Sequence, residues 1–174
     1  MSPHPDRHGS RHLFLVGFMG AGKSTVGPLV ASRLSRAFYD LDDLIQARAG
    51  KTVAEIFRDN GEAEFRRLER QELSDCRGLE PSVIALGGGA FTFEENRMIV
   101  GQLGSSVWLD CPLDVCLERV GDDRSRPLLG DDVAMRALFE SRQSSYRRAD
   151  VTIETGTVSP EEVADQIVLR IERS

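Results

Sequence analysis

Near the N-terminus, Gly17-Phe18-Met19-Gly20-Ala21-Gly22-Lys23-Ser24-Thr25 combines glycines, a lysine and two hydroxyls in the order G-x-x-x-x-G-K-S. That pattern suits a chain of phosphates. Gly17, Gly20 and Gly22 admit backbone angles that side chains forbid, so successive main-chain N–H groups can turn inward around an anion. Lys23 would place a compact positive charge at the terminal phosphates, and Ser24 would offer a hydroxyl to a magnesium ion. A following helix adds the positive end of its dipole.

Other chemically capable residues follow in Tyr39-Asp40-Leu41-Asp42-Asp43. On an extended strand end, Asp40 and Asp42 would share a face. Beside a triphosphate, one carboxylate can hold magnesium through water, and the other can take the proton of an attacking hydroxyl. Asp43 is expected to cap the next helix. Arg66, Arg67, Glu69 and Arg70 form a charge cluster, Arg142 stands near Arg147 and Arg148, and Arg119 and Arg126 bracket a polar stretch. Such clusters are usually solvated surface. In an acidic chain, however, arginines aimed at one cleft would suit a carboxylate or phosphate. Gly87-Gly88-Gly89 would allow either close approach of a ligand or a tight turn.

These residues need a frame. His12 to Val16 is an apolar run of the kind found in buried parallel strands, and Val26, Leu29, Val30 and Leu34 then recur at helical spacing. Pro28 is expected to fall in the helix's first turn, where proline is tolerated. Further strands are expected at 37–39, 82–86, 106–109 and 151–153. Helices are expected at about 23–35, 42–49, 52–61, 62–77, 94–103, 112–120, 131–148 and from 160 onward. Thr52 with Glu55, and Ser159 with Glu162 behind Pro160, have the form of capping boxes. Ile56 and Phe57 are expected to face inward, as are Val163, Ile167, Val168 and Ile171. Alternation of this kind predicts a three-layer α/β/α sandwich on a five-stranded parallel sheet. Ligands then belong beyond the carboxyl ends of the strands, where the glycine loop, the aspartates and the triple glycine all fall.

The chain has 174 residues and a formal charge of −6. One domain is expected, over 11–174, after a flexible polar leader at 1–10. The acidic balance argues against a nucleic-acid partner, and no apolar run is long enough to span a membrane. Cys76, Cys111 and Cys116 form no C-x-x-C pair, which fits packing in a reducing cytoplasm. The chain is expected to act as a monomer.

Taken together, the motifs G-F-M-G-A-G-K-S-T-V-G, Y-D-L-D, F-R-R-L-E, G-G-G, R-P-L-L and R-Q-S-S-Y-R-R-A-D, in this order, resemble those of shikimate kinases over about residues 12–172. The resemblance implies a P-loop fold and transfer of the γ-phosphoryl of ATP to the 3-hydroxyl of shikimate. It implies that Gly20, Ala21, Gly22, Lys23, Ser24 and Thr25 cradle the phosphates, with Mg2+ on Ser24 and, through water, on Asp40. Asp42 would bind the shikimate hydroxyls and accept the reacting proton. Arg66 and Arg142 would grip its carboxylate, Gly88 would add a backbone contact, and Glu69 would orient Arg66. Helices over about 40–77 would form the substrate-binding part. Arg119 would stack on adenine, with 156–160 bordering the base, and Arg126 would reach the phosphates from a lid at about 121–132. Thr157 and Val158 stand where some members carry an adenine-contacting arginine. A gluconate-type or nucleoside-monophosphate kinase, or a non-catalytic ATP-binding module, are the competing readings. The F-R-x-x-E and triple-glycine pair favours shikimate, and Lys23, Asp42 and Arg126 together favour catalysis.

Overall fold

The computed structural model describes residues 11–121 and 132–173. The leader at 1–10 and most of the expected lid, with Arg126, lie outside them. Five strands, β1 (His12–Val16), β2 (Phe38–Asp40), β3 (Val83–Ala85), β4 (Gly104–Asp110) and β5 (Val151–Glu154), form one parallel sheet in the order β2-β3-β1-β4-β5. Every residue of β1 and β3 is buried, so both faces of the sheet centre are covered.

The cover comes from α1 (Lys23–Arg33), α2 (Leu41–Ala49), α3 (Val53–Asp75), α4 (Glu94–Leu103), α5 (Leu113–Val120), α6 (Asp132–Tyr146) and α7 (Pro160–Glu172). Helix α1 packs on α7, while α4 packs on α3 and β4. The core runs through Phe14, Leu15, Val30, Ile84, Leu109 and Ile167, all fully buried. Helix α1 comes so close to β2 that a methyl group on Gly27 would collide with the Phe38 ring.

Local chemistry sets the element ends. Thr52 accepts from Glu55 N while the Glu55 carboxylate accepts from Thr52 N, and Ser159 and Glu162 do the same for α7. Gly61, with φ 82°, breaks the regular geometry of α3, so the two expected helices run on through a kink. Cys76, Cys111 and Cys116 are buried free thiols packed in the core.

Some expectations fail. Pro28 is the sixth residue of α1, beyond the first turn. Phe57 is 38% exposed, because the helix turns it outward beside Phe65 at 4.7 Å. Val168 is only half-buried, and Ala164 completes the inner stripe of α7 instead. Asp40, not Asp43, caps α2, accepting from Asp42 N at 2.9 Å. Asp42 therefore lies in the first turn of a helix rather than two residues along a strand.

Candidate active site

Beyond β1 the chain enters the glycine loop. Gly20 and Gly22 have φ of 75° and 101°, the left-handed region that an amino acid with a side chain enters only with strain. A methyl group on Gly20 would also collide with the Cys116 carbonyl, so α5 backs the loop directly. Gly22 caps α1 without offering it a side chain. The opening turn of α1 thus presents main-chain N–H groups at its N-terminus. Lys23 Nζ donates to Gly17 O at 2.7 Å and Phe18 O at 3.0 Å, which folds its charge over the loop.

A cleft of about 340 Å³ opens there, lined by Lys23, Ser24, Thr25, Asp40, Asp42, Gly88 and Arg119. A smaller cavity of about 120 Å³ adjoins it, lined by Ala21, Thr25, Arg119, Thr155, Val158 and Pro160. Thr25 and Arg119 line both. The larger cleft is polar, with two cations and two carboxylates, and the smaller one is walled chiefly by aliphatic groups. An anionic chain in the first and a flat heteroaromatic ring in the second would match that division. Burial pushes the Asp40 carboxyl above its usual range, opposed by the Asp42 N–H and the Lys23 charge. A bound divalent cation would offset the same desolvation.

The triple glycine organises the other half. None of Gly87, Gly88 and Gly89 has positive φ. Their requirement is room, because a different functional side chain reaches each one. A Cβ on Gly87 would stand 2.9 Å from Asp42 Oδ1, one on Gly88 3.0 Å from Arg142 Nη1, and one on Gly89 2.8 Å from Arg66 Nη2. The segment is also a turn, with Ala90 N donating to Gly87 O at 3.0 Å. Three polar groups from α2, α3 and α6 are thereby brought to consecutive residues of one loop beside Lys23.

Each arginine is held. Arg66 donates to both Glu69 oxygens at 2.9 and 3.1 Å and to Glu62 at 3.3 Å. Its guanidinium lies 5.2 Å from the Phe65 ring centre and 5.1 Å from that of Phe93. Glu69 is 1% exposed, and burial raises its carboxyl while Arg66 pulls it down. Asn96, also buried, donates to Glu69 at 3.4 Å and to Ala90 O at 2.9 Å, tying the arginine's partner to the glycine turn. Arg142 sits 5.6 Å over the Phe18 ring. By contrast, Arg67 pairs with Glu64 on the surface, as an ordinary solvated helix face would.

Among the described residues, Gly20, Ala21, Gly22, Lys23, Ser24, Thr25, Asp40, Asp42, Arg66, Gly88, Arg119 and Arg142 all lie at the two cavities or the adjoining glycine row. Arg126 lies outside the described residues. Sequence reading passed over Phe93, Asn96 and Tyr146. Only Tyr146 carried a signal, standing four residues beyond Arg142 on the same helix face.

A family model described as shikimate kinase matches residues 19–172. The shikimate kinase of Persephonella marina is 40% identical over 162 residues, covering 92% of this chain and 99% of its own. Among solved structures, shikimate kinase from Acinetobacter baumannii in complex with shikimate is 36% identical, with a TM-score of 0.88, covering 97% of this chain and 95% of that one. A gluconokinase from Sinorhizobium meliloti superposes with a TM-score of 0.63 at 13% identity, covering 96% of this chain and 94% of that one, a likeness of fold alone.

Proposed function

The chain belongs to the shikimate kinase family, and on that premise we propose that it transfers the γ-phosphoryl of ATP to the 3-hydroxyl of shikimate, giving 3-phosphoshikimate and ADP. The observation that carries this reading is the row of glycines met by Asp42, Arg142 and Arg66 in turn, next to Lys23. Shikimate is a small carboxylic acid bearing hydroxyls. Two guanidinium groups suit its carboxylate, and a carboxylate suits a hydroxyl that must lose a proton.

Phosphoryl transfer asks a protein mainly for alignment and charge stabilisation. The amides from Gly20 to Thr25 hold the phosphate oxygens, and Lys23 leaves its own loop carbonyls to neutralise charge on the terminal phosphates. Arg66 and Arg142 fix the acceptor by its carboxylate, so that its hydroxyl faces the γ-phosphorus. As the new O–P bond forms and the bond to the bridging β–γ oxygen breaks, Asp42 takes the hydroxyl proton. The loop hydroxyl of Ser24 and the desolvated carboxylate of Asp40 form a hard-oxygen set that fits Mg2+. Bound there, the ion would neutralise phosphate charge. Arg119 flanks the base in the smaller cavity. By sequence resemblance Arg126 serves the phosphates; the chain acts as a monomer, and its unpaired cysteines suit the cytoplasm. No helix among the described residues is long and apolar enough to cross a membrane.

The test is ADP release with shikimate, gluconate and nucleoside monophosphates as acceptors, with the product located by phosphorus NMR. Release that depends on shikimate, with phosphate on the 3-hydroxyl, is expected. Equal release with gluconate would overturn the assignment.

A further inference from the structure

Tyr146 is 1% exposed and lies four residues beyond Arg142 on α6, on the same face. Its hydroxyl donates to Gly88 O at 2.5 Å. Arg142 reaches the same residue, its Nη1 standing 3.0 Å from where a Cβ on Gly88 would lie. The direction of this bond is fixed by donor inventory. A carbonyl only accepts, so the phenol's single proton points to Gly88 O. Burial pushes the phenol up to about 12, so the proton stays in place at any working pH. The ring is tilted beside Trp108 at 6.0 Å, inside the core.

We propose that Tyr146 is a positioning residue for the acceptor, fixing the Gly88 peptide against which the Arg142 guanidinium rests. Arg142 and Gly88 come from elements far apart in sequence, α6 and the loop after β3, and the phenol, one helical turn beyond Arg142, ties the two elements together. Its bond fixes the Gly88 peptide plane beside the guanidinium. The role rests on the reading of Arg142 and Gly88 as acceptor contacts. A tyrosine placed only to fill the core would have no need of this partner. The ring's apolar burial is retained in phenylalanine, so the hydroxyl can be removed without emptying the site.

The experiment compares Tyr146→Phe, Arg142→Met and the double variant by equilibrium shikimate binding, by kcat and KM for both substrates, and by Tm. Tyr146→Phe is expected to weaken shikimate binding about five- to tenfold, the range of one lost buried hydrogen bond. The KM for ATP should be unchanged, and the loss should shrink when Arg142 is already methionine. A lower Tm with unchanged shikimate affinity would make the phenol a purely structural contact and overturn the proposal, as would equal losses for ATP and shikimate. If Arg142→Met leaves shikimate affinity intact, the acceptor-site reading falls and this proposal with it. If Arg142→Met weakens binding and Tyr146→Phe does not, only the role of Tyr146 is lost.

Discussion

Replacing Gly89 by alanine should separate room from flexibility as the reason for glycine there. The backbone at Gly89 has φ −92° and ψ −18°, which alanine adopts freely. On backbone grounds alone the change would stabilise by about 0.4–1 kcal/mol. The added Cβ, however, would stand 2.8 Å from Arg66 Nη2 and 3.1 Å from Nη1. Ordinary contact begins near 3.4 Å, so the guanidinium must withdraw by about 0.6 Å. It has little slack, being tied to the buried Glu69 carboxylate and faced by the Phe65 and Phe93 rings. Displacing it by that much sacrifices a charge-assisted bond, to Glu69 or to the acceptor, worth about 1.5–3 kcal/mol. Shikimate binding measured by calorimetry should therefore weaken about 10- to 150-fold, while nucleotide binding stays as it was. Gly101→Ala is the control. It sits in α4 with nothing within 4 Å of the added carbon, and it should leave both affinities unaltered. Undiminished shikimate affinity in Gly89→Ala, or a matching loss for ATP, would refute the reasoning.

Lys23→Met should lower kcat about 10²- to 10³-fold, the usual cost of losing one preorganised donor at developing charge, with shikimate affinity preserved in a binding assay. Arg126→Ala should likewise collapse turnover with little change in shikimate affinity, and an equal loss in binding would mean the residue had been misplaced. His12 supplies a stability test. Its Nε2 pairs with Cys76 O at 2.9 Å and its Nδ1 accepts from Ser82 N at 3.1 Å, a neutral tautomer, and burial lowers its pKa below 6.5. The unfolded chain then binds the proton more readily, so the stabilisation is present above pH 6.5 and lost as pH falls through the lowered folded value. Thermal unfolding from pH 8 down to pH 5 should show that loss, and His12→Gln should flatten it.

How much could be read in advance depended on the range of the interaction. The glycine loop, the capping boxes at Thr52 and Ser159 and the span of α4 are written in neighbouring residues, and all appear where expected. The cap of α2 was misassigned among Asp40, Asp42 and Asp43, because three adjacent carboxylates compete for one set of N–H groups and only the bend of the chain decides. Phe57 was misplaced because burial there depends on how α3 kinks at Gly61. The charge cluster on α3 looked uniform, yet Arg66 turns in toward a buried Glu69 and Arg67 turns out. That sorting is set by the rotation of α3 against the loop after β3, a contact no local pattern encodes. The triple glycine was legible as a special place but not for its actual reason, since the side chains that crowd it come from three separate helices.

Gly27 lies outside the cleft but has a consequence for it. With no side chain to hold them apart, α1 and β2 rest helix against strand through the Phe38 ring. Four residues before Gly27 is Lys23, the proposed phosphate contact, and two residues after Phe38 is Asp40, the carboxylate proposed to hold Mg2+. On that reading, the spacing between phosphates and ion is gauged one helical turn further along the same face of α1. A methyl group inserted there would act as a shim, spreading Lys23 from Asp40 while leaving every functional group chemically intact.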